Sequence, residues 1–439
     1  MRQMKRVLIG IGAAAAAVVV LALVFGGRAV EPHTAPTPPI SAEPALSTRP
    51  AGPAHRGFLY GRVTTVDGTP YTGRLRFGLD QEAFWGDLFN GAKHENPWVG
   101  RIPPEQLPKE TRSLEIFGFK LGPRERELEP DRPLVVRFGD ITRIEAHGDQ
   151  VRVTLKSGTA FDVGRFNASD FDDGLRVWDA ARGVVDLADS RIRTIELLPT
   201  PELGDDVPAR LHGTVRTRQG ELTGFLGWNR HEYVGSDELE GRTSDDVEFA
   251  VRFDAIRSIE RRPGRSSKVT LRDSREVVLY GTSDVDEDNR GVYVEDERYG
   301  RMLVSWGAFQ RVDFDSSDSS GPAYDDFPPG RPLTGSVTTH DGRRLAGRIV
   351  YDLDESETVE TLDAPRLGVD YTILFGLIAS IVPAGEELVR VVLHNGEELQ
   401  LERSGDLGQR NGGMLIFVDG HEQPEYVPWA DVARIDFAR

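Results

Sequence analysis

Three stretches of the chain share one pattern of apolar and polar positions. The first runs from Gly61 and Val63 to a turn at Gly68, then to Gly73, Leu75 and Phe77. The second reads Gly213, Val215, Gly220, Gly224, Leu226 and Trp228, and the third Gly335, Val337, Gly342, Gly347, Ile349 and Tyr351. In each, the first two glycines stand seven apart, and the last glycine is followed by an apolar, any and an aromatic residue. Alternation with period two around a glycine turn predicts a β-hairpin. Each stretch then closes alike, on Phe138, Ile141 and Ile144, on Phe253, Ile256 and Ile259, and on Phe375, Ile378 and Ile381. A spacing of three fits a strand that enters one 3₁₀ turn and leaves as a short strand, all three side chains pointing inward.

A second, weaker half follows each time. It opens on Val151, Val153 and Leu155, on Val269 and Leu271, and on Val391 and Leu393. A later strand carries Val177, Val294 or Phe417. The ending returns as Trp306, Phe309 and Val312 and as Trp429, Val432 and Ile435, whereas the first repeat keeps only Ile192 and Ile195. Each half therefore predicts about five short strands with a 3₁₀ turn before the last. That strand order and ending resemble the small barrels of the SH3-like and Sm-like superfolds. The resemblance covers about residues 57–438 and implies an all-β chain of six tandem SH3-like/Sm-like barrels in three pairs. The alternative is a six-bladed β-propeller with four strands per blade, whose blades have no need of the barrel-closing ending.

The repeats divide the chain into 57–200, 208–314 and 331–439. Gly61 to Gly213 is 152 residues and Gly213 to Gly335 is 122, so repeat one holds a surplus of 30, placed near the proline-rich stretch 91–131. A long loop that does not serve the fold often carries function, although a tolerated surface insertion has the same signature. Residues 315–330, rich in Asp, Ser and Pro, read as a flexible linker.

Ahead of the repeats, Val7 to Phe25 form 19 residues without charge, preceded by Arg2, Lys5 and Arg6 and followed by Arg28. The run predicts an N-terminal hydrophobic helix, and its length favours a membrane anchor with the C-terminal part exported. On this reading the protein is single-pass in the inner membrane. Cleavage near Ala29 would instead leave it secreted or periplasmic. Seven prolines between residues 31 and 54 make 30–56 a semi-rigid linker, which at about 3.1 Å per residue reaches roughly 75 Å.

Net charge is −18, and because residues 1–29 hold four basic and no acidic residues the remainder carries −22. Such a chain repels phosphate backbones, so no nucleic-acid partner is expected. The absence of cysteine excludes disulfides, thiolate zinc and a cysteine nucleophile. No nucleophile elbow, Walker loop or zinc-binding histidine pair is present. One acidic segment carries possible chemistry. Asp284, Asp286 and Asp288 fall at positions 1, 3 and 5 of an EF-hand-like count, with Glu295 at 12, which makes them candidate calcium ligands. Asn289 stands where that loop needs glycine, and Glu295 aligns with a strand, so the competing reading is an acidic hairpin tip. The segment is also similar to the Asp…Asn pattern of the Sm RNA-binding loop, but the equivalent loops do not keep it. Phe77, Trp228 and Tyr351 read as core in preference to a ligand-stacking series.

Together these features predict a non-enzymatic cell-envelope binding or scaffold protein, held at the membrane by residues 7–25, with no cofactor. Its expected partner is an envelope protein or cell-wall polymer. Contact with peptidoglycan is implied by the resemblance to exported bacterial SH3-like modules and is not read from these residues. The alternatives are a calcium-responsive adhesion or assembly module using tips such as 284–288, and an enzyme with its site in the 91–131 insertion.

Overall fold

A computed structural model describes residues 55–439 except 79, 104, 107–108, 117–118, 128–131, 205–206 and 318. The hydrophobic run 7–25 and nearly all of the proline-rich linker lie outside the described residues. Within them the chain is all-β. Its one α-helix, α1 (Ser169–Asp172), is a single turn, and no described helix is long and apolar enough to cross a membrane.

Repeat one carries β1 (Tyr60–Thr65), β2 (Pro70–Phe77), β3 (Leu88–Ala92), an inserted hairpin of β4 (Lys109–Ile116) and β5 (Phe119–Glu127), then β6 (Pro133–Arg137), β7 (Ile141–His147), β8 (Gln150–Leu155), β9 (Ala160–Gly164), β10 (Leu175–Asp179), β11 (Gly183–Leu187) and β12 (Ile192–Leu197). Repeat two carries β13 (His212–Thr217), β14 (Glu221–Gly227), β15 (Glu238–Arg242), β16 (Glu248–Arg252), β17 (Ile256–Arg262), β18 (Ser266–Leu271), β19 (Glu276–Tyr280), β20 (Val292–Asp296), β21 (Gly300–Val304) and β22 (Phe309–Asp315). Repeat three carries β23 (Thr334–Thr339), β24 (Arg344–Val350), β25 (Thr361–Arg366), β26 (Val369–Leu374), β27 (Ile378–Pro383), β28 (Leu388–Leu393), β29 (Glu398–Glu402), β30 (Met414–Val418), β31 (Glu425–Val427) and β32 (Val432–Phe437).

The five strands of each half do not pair as a contiguous block. In repeat two the order is β16-β15-β19-β18-β17-β22-β13-β14-β20-β21. Exchanging the first-half strands β13–β17 for the second-half strands β18–β22 gives the same order read from the other end. The halves interleave: β14 lies beside β20, and β19 meets β15 at Tyr280 and Arg242. Repeat one shows the same order, β11-β10-β2-β1-β12-β7-β8-β9, with the β3–β6 pair reached through a bridge from Lys93 to Val163. Repeat three runs β29-β28-β27-β32-β23-β24-β30-β31, while its β25–β26 pair adds to β21 of repeat two. Sheets of eight, twelve and eight strands are not propeller blades, which corrects the four-strand alternative.

Interleaving explains the repeated glycines. A Cβ at Gly73, Gly224 or Gly347 would run into the backbone carbonyl of Trp178, Glu295 or Phe417, each on the strand contributed by the other half. These glycines are therefore required by close backbone approach in mid-strand, not by a turn.

The endings fold as the spacing predicts. Phe138–Asp140, Phe253–Ala255 and Phe375–Leu377 are single 3₁₀ turns. Phe138, Phe253, Phe375 and the six isoleucines of the motif are at most 1% exposed. A register shift follows each turn at the same place, between Ile141 and Arg143, Ile256 and Ser258, and Ile378 and Ser380. Such bulges bend the strand as it leaves the turn. Phe77, Trp228 and Tyr351 are core residues. The polar tips of the last two are satisfied by equivalent carbonyls: Trp228 Nε1 donates to Asp284 O (3.0 Å) and Tyr351 Oη to Asp406 O (2.9 Å).

The segment expected as a free linker is a strap across repeat one. Tyr324 and Phe327 are buried, Tyr324 Oη donates to Ile141 O (2.8 Å), and Lys156 Nζ donates to the carbonyls of Tyr324 (2.5 Å) and Phe327 (3.1 Å). The insertion in repeat one likewise packs elsewhere: Trp98, Val99 and Ile102 sit against Val350, Leu353, Leu415 and Phe417 of repeat three.

Candidate functional site

The loop after the first hairpin builds the junctions between repeats. In all three copies the backbone closes on itself four residues after the aromatic, with Phe77 bonded to Gln81, Trp228 to Glu232 and Tyr351 to Glu355. A carboxylate two residues before the next core side chain then takes two successive backbone N–H groups. Asp87 accepts from Glu82 and Ala83 (both 2.8 Å), Asp237 from Tyr233 (2.8 Å) and Val234 (3.0 Å), and Glu360 from Ser356 (2.6 Å) and Glu357 (2.9 Å). A carboxylate with two charge-assisted donors holds such a loop rigid. The first and third loops also reach a neighbouring repeat, with Asp80 3.7 Å from His231 and Asp354 2.8 Å from Lys93.

Where repeat two meets repeat one, Arg210 meets Glu295 of the same repeat at 2.5 Å with both side chains at most 3% exposed. The same guanidinium donates to Trp85 O (3.2 Å) and Ser320 O (3.1 Å) and lies 4.2 Å from the centre of the Phe225 ring. Burial pushes the Glu295 carboxyl up to about 7 even though Arg210 opposes the shift. Gly86 completes this fit, because any side chain there would displace the Glu295 carboxylate.

Between repeats one and three, Lys93 Nζ contacts Asp354 Oδ1 (2.8 Å) and Glu360 Oε1 (2.7 Å), and Arg132 contacts Asp354 at 2.6 Å. Thr159 donates to Glu357 across the same seam. Around these two cations stand six carboxylates: Asp352, Asp354, Glu355, Glu360, Asp363 and Asp406. Burial opposes the Lys93 charge, but Glu360 and Asp354 prevail and hold its ammonium above the ordinary range. Burial pushes Glu355 and Asp352 well up and Asp363 up, and burial together with Asp363 lifts Asp406 to about 7. Burial thus favours the protonated form of these carboxyl groups. Lys93 lies at the start of the 91–131 insertion and Arg132 directly after it, so the insertion is stapled at its base.

All three repeats and the strap line an open cleft of about 740 Å³. Trp85 and Arg137 come from repeat one, His212 and Phe225 from repeat two, Phe327 from the strap, and Leu374 and Leu377 from repeat three. Arg137 forks onto Asp140 (2.7 and 3.0 Å) and lies about 5 Å from the Trp85 and Phe327 rings. His212 is held by Asp315 at 2.5 Å and packs edge-on against Phe225. Ser317 and Ser319 donate to strap carbonyls. Trp85 Nε1 is buried with no partner. This arrangement offers aromatic edges and an oriented guanidinium, which suits recognition by stacking and hydrogen bonding.

Of the three predicted calcium ligands, Asp286 and Asp288 share one guanidinium and Asp284 is engaged elsewhere. Asp284 accepts from Asn229 Nδ2 (3.0 Å) and the Glu240 N–H (2.9 Å), while Asp286 and Asp288 face Arg265 at 3.4 and 2.8 Å. Glu295, the twelfth position, belongs to β20 and points into the Arg210 seam. Among the described residues no group of three His, Cys, Asp or Glu side chains is arranged to hold a metal ion. The repeat equivalent of Asp284 is Asp406, which accepts the Asp363 N–H (2.6 Å) in the same way. Aligning the two loops is the sequence signal that exposes this structural role. The seam residues gave no such local signal.

No family model, no curated protein and no solved structure matches this chain.

Proposed function

We propose that this chain is a non-enzymatic scaffold or binding protein of the cell envelope, tethered through residues 7–25 and presenting its three repeats as one block. The observation that carries this reading is the pair of buried charged seams. Lys93 and Arg132 fasten repeat one to Asp354 and Glu360 of repeat three, while Arg210, held by Glu295 of its own repeat two, donates to Trp85 O of repeat one. Separating repeats one and three would leave these charges stranded out of water, so that seam resists opening. A block of fixed geometry on a proline-rich leash suits a protein that must hold a partner at a set distance from a lipid surface.

The SH3-like reading of the repeats also belongs here. The run β22-β13-β14-β20-β21 follows the order five-one-two-three-four of a small barrel, and β17-β18-β19-β15-β16 does the same. On this reading each repeat is a pair of small barrels that have exchanged their first two strands.

The junction cleft is the binding face in this account, and a cell-wall polymer or envelope protein its ligand. Titrating the full chain in detergent with peptidoglycan fragments, followed by tryptophan fluorescence, tests it. Binding that is lost in Leu377→Arg, which places a charge at the mouth of the cleft, supports the reading. Binding that Leu377→Arg leaves unchanged rejects the cleft, and a response to calcium alone favours the assembly-module alternative.

A further inference from the structure

Repeats two and three are joined edge to edge by β21 and β26, with Arg301 opposite Thr372, Met302 opposite Tyr371, Leu303 opposite Asp370 and Val304 opposite Val369. The same two kinds of edge exist at the preceding boundary. In repeat one, β11 holds the place of β21: Gly183 faces Asp179 as Gly300 faces Asp296. In repeat two, the stretch 247–252 holds the place of Val369–Leu374: Val251 faces Leu239 as Ile373 faces Leu362. Yet β11 and β16 are not paired with each other, and both end their sheets among the described residues.

We propose that two copies of this chain assemble by pairing β11 of one molecule with β16 of the next, in the register of the β21–β26 joint. That register sets Val184 opposite Ala250, Val185 opposite Phe249, Asp186 opposite Glu248 and Leu187 opposite Val247. Val184 and Val247 are each 59% exposed, unusual for valines on or beside a strand edge, and the joint covers both. Close approach is possible at the strand start. A Cβ at Gly300 would strike the Thr372 carbonyl, and a Cβ at the equivalent Gly183 would meet nothing, so that space is open for a second backbone. Two further edges are blunted: β6 begins with Pro133 beside the Lys93 seam, and β31 is three residues long between Pro424 and Pro428.

One step of the register is unfavourable. Asp186 faces Glu248, although each already has an arginine on its inner side, Arg176 at 2.7 Å and Arg242 at 3.7 Å. Reversing that charge by Glu248→Lys therefore strengthens the joint.

The chain lacks cysteine, so cross-linking is clean. Full-length Val184→Cys and Ala250→Cys proteins, mixed in mild detergent and oxidised, are expected to give an intermolecular disulfide at least tenfold faster than a Val66→Cys and Ala250→Cys mixture. Adding Val247→Lys to the Ala250→Cys partner should abolish the excess, and adding Glu248→Lys should raise it. Cross-linking no faster than the Val66 control, or indifferent to both lysine substitutions, overturns the proposal. Circular dichroism of each variant separates lost pairing from lost folding.

Discussion

Arg210 reaches 85 residues along the chain to meet Glu295 of the same repeat at 2.5 Å with almost no exposed surface, and its guanidinium also donates to Trp85 O of repeat one (3.2 Å). Glu295 lies on β20, a second-half strand, directly beside Phe225 of β14, a first-half strand. The ion pair thus depends on the interleaving of the halves as much as on the contact between repeats.

Removing the cation should be costly. Arg210→Met leaves Glu295 buried without its partner and is expected to destabilise the chain by about 3–5 kcal/mol in a denaturant titration. Glu295→Gln should cost less, because the glutamine amide keeps an acceptor oxygen for Arg210 and removes a charge that burial already disfavours. Equal losses for the two substitutions would contradict the assignment of Glu295 as the strained partner.

Phe253 packs against Trp228 and Phe314, with ring centres 6.3 and 5.7 Å away, so its ring joins a strand ending of the first half to the last strand of the second. Phe253→Ala should cost about 3–5 kcal/mol. Because the halves share one sheet, hydrogen exchange should accelerate in β20–β22 as well as in β13–β17. Acceleration confined to the first half would argue for independent halves.

How far this was legible from the sequence differs by element. The hairpins, the 3₁₀ endings and the buried Phe138, Phe253 and Phe375 follow from residue spacing, since alternation fixes which face is buried. The neighbour of each strand does not follow. Alternation in β14 is equally satisfied beside β15 or β20, and the choice is made by Gly224, whose role looks like that of a turn glycine until the crossing carbonyl of Glu295 is seen. The seams were hidden because Lys93 and Asp354 lie 261 residues apart with no shared motif. The EF-hand spacing at 284–288 does not disclose that Asp284 serves the local backbone as Asp406 does in repeat three.

The Lys93 seam should respond to pH. Asp406 sits at about 7 in the folded chain against about 3.9 unfolded. A group raised in this way contributes its full stabilisation below about pH 4 and loses it as the pH climbs through about 7. The thermal midpoint should therefore fall between pH 5 and pH 8.5, and Asp406→Asn, which keeps the acceptor for the Asp363 N–H, should flatten the decline. An unchanged slope in the variant would remove Asp406 from this role.

The insertion is expected to act as a brace. Trp98 is partly buried against Phe417, with ring centres 6.1 Å apart, and 5.2 Å from the Arg348 guanidinium. Trp98→Ala should cost about 1–2 kcal/mol, less than a fully buried aromatic, and should raise proteolysis of 91–131 without exposing β13–β22. Cleavage spreading into repeat two at the same rate would show that the brace reaches further than repeat three.

The central claim is that residues 7–25 hold the three-repeat block outside the cytoplasm. A single cysteine at Val66, which is 62% exposed, reports this directly in a chain with no other thiol. In cells with a permeabilised outer membrane and an intact inner membrane, Val66→Cys should react with a membrane-impermeant maleimide, and the labelled chain should sediment with membranes. Labelling that appears only after the inner membrane is broken would place the repeats in the cytoplasm and contradict the account.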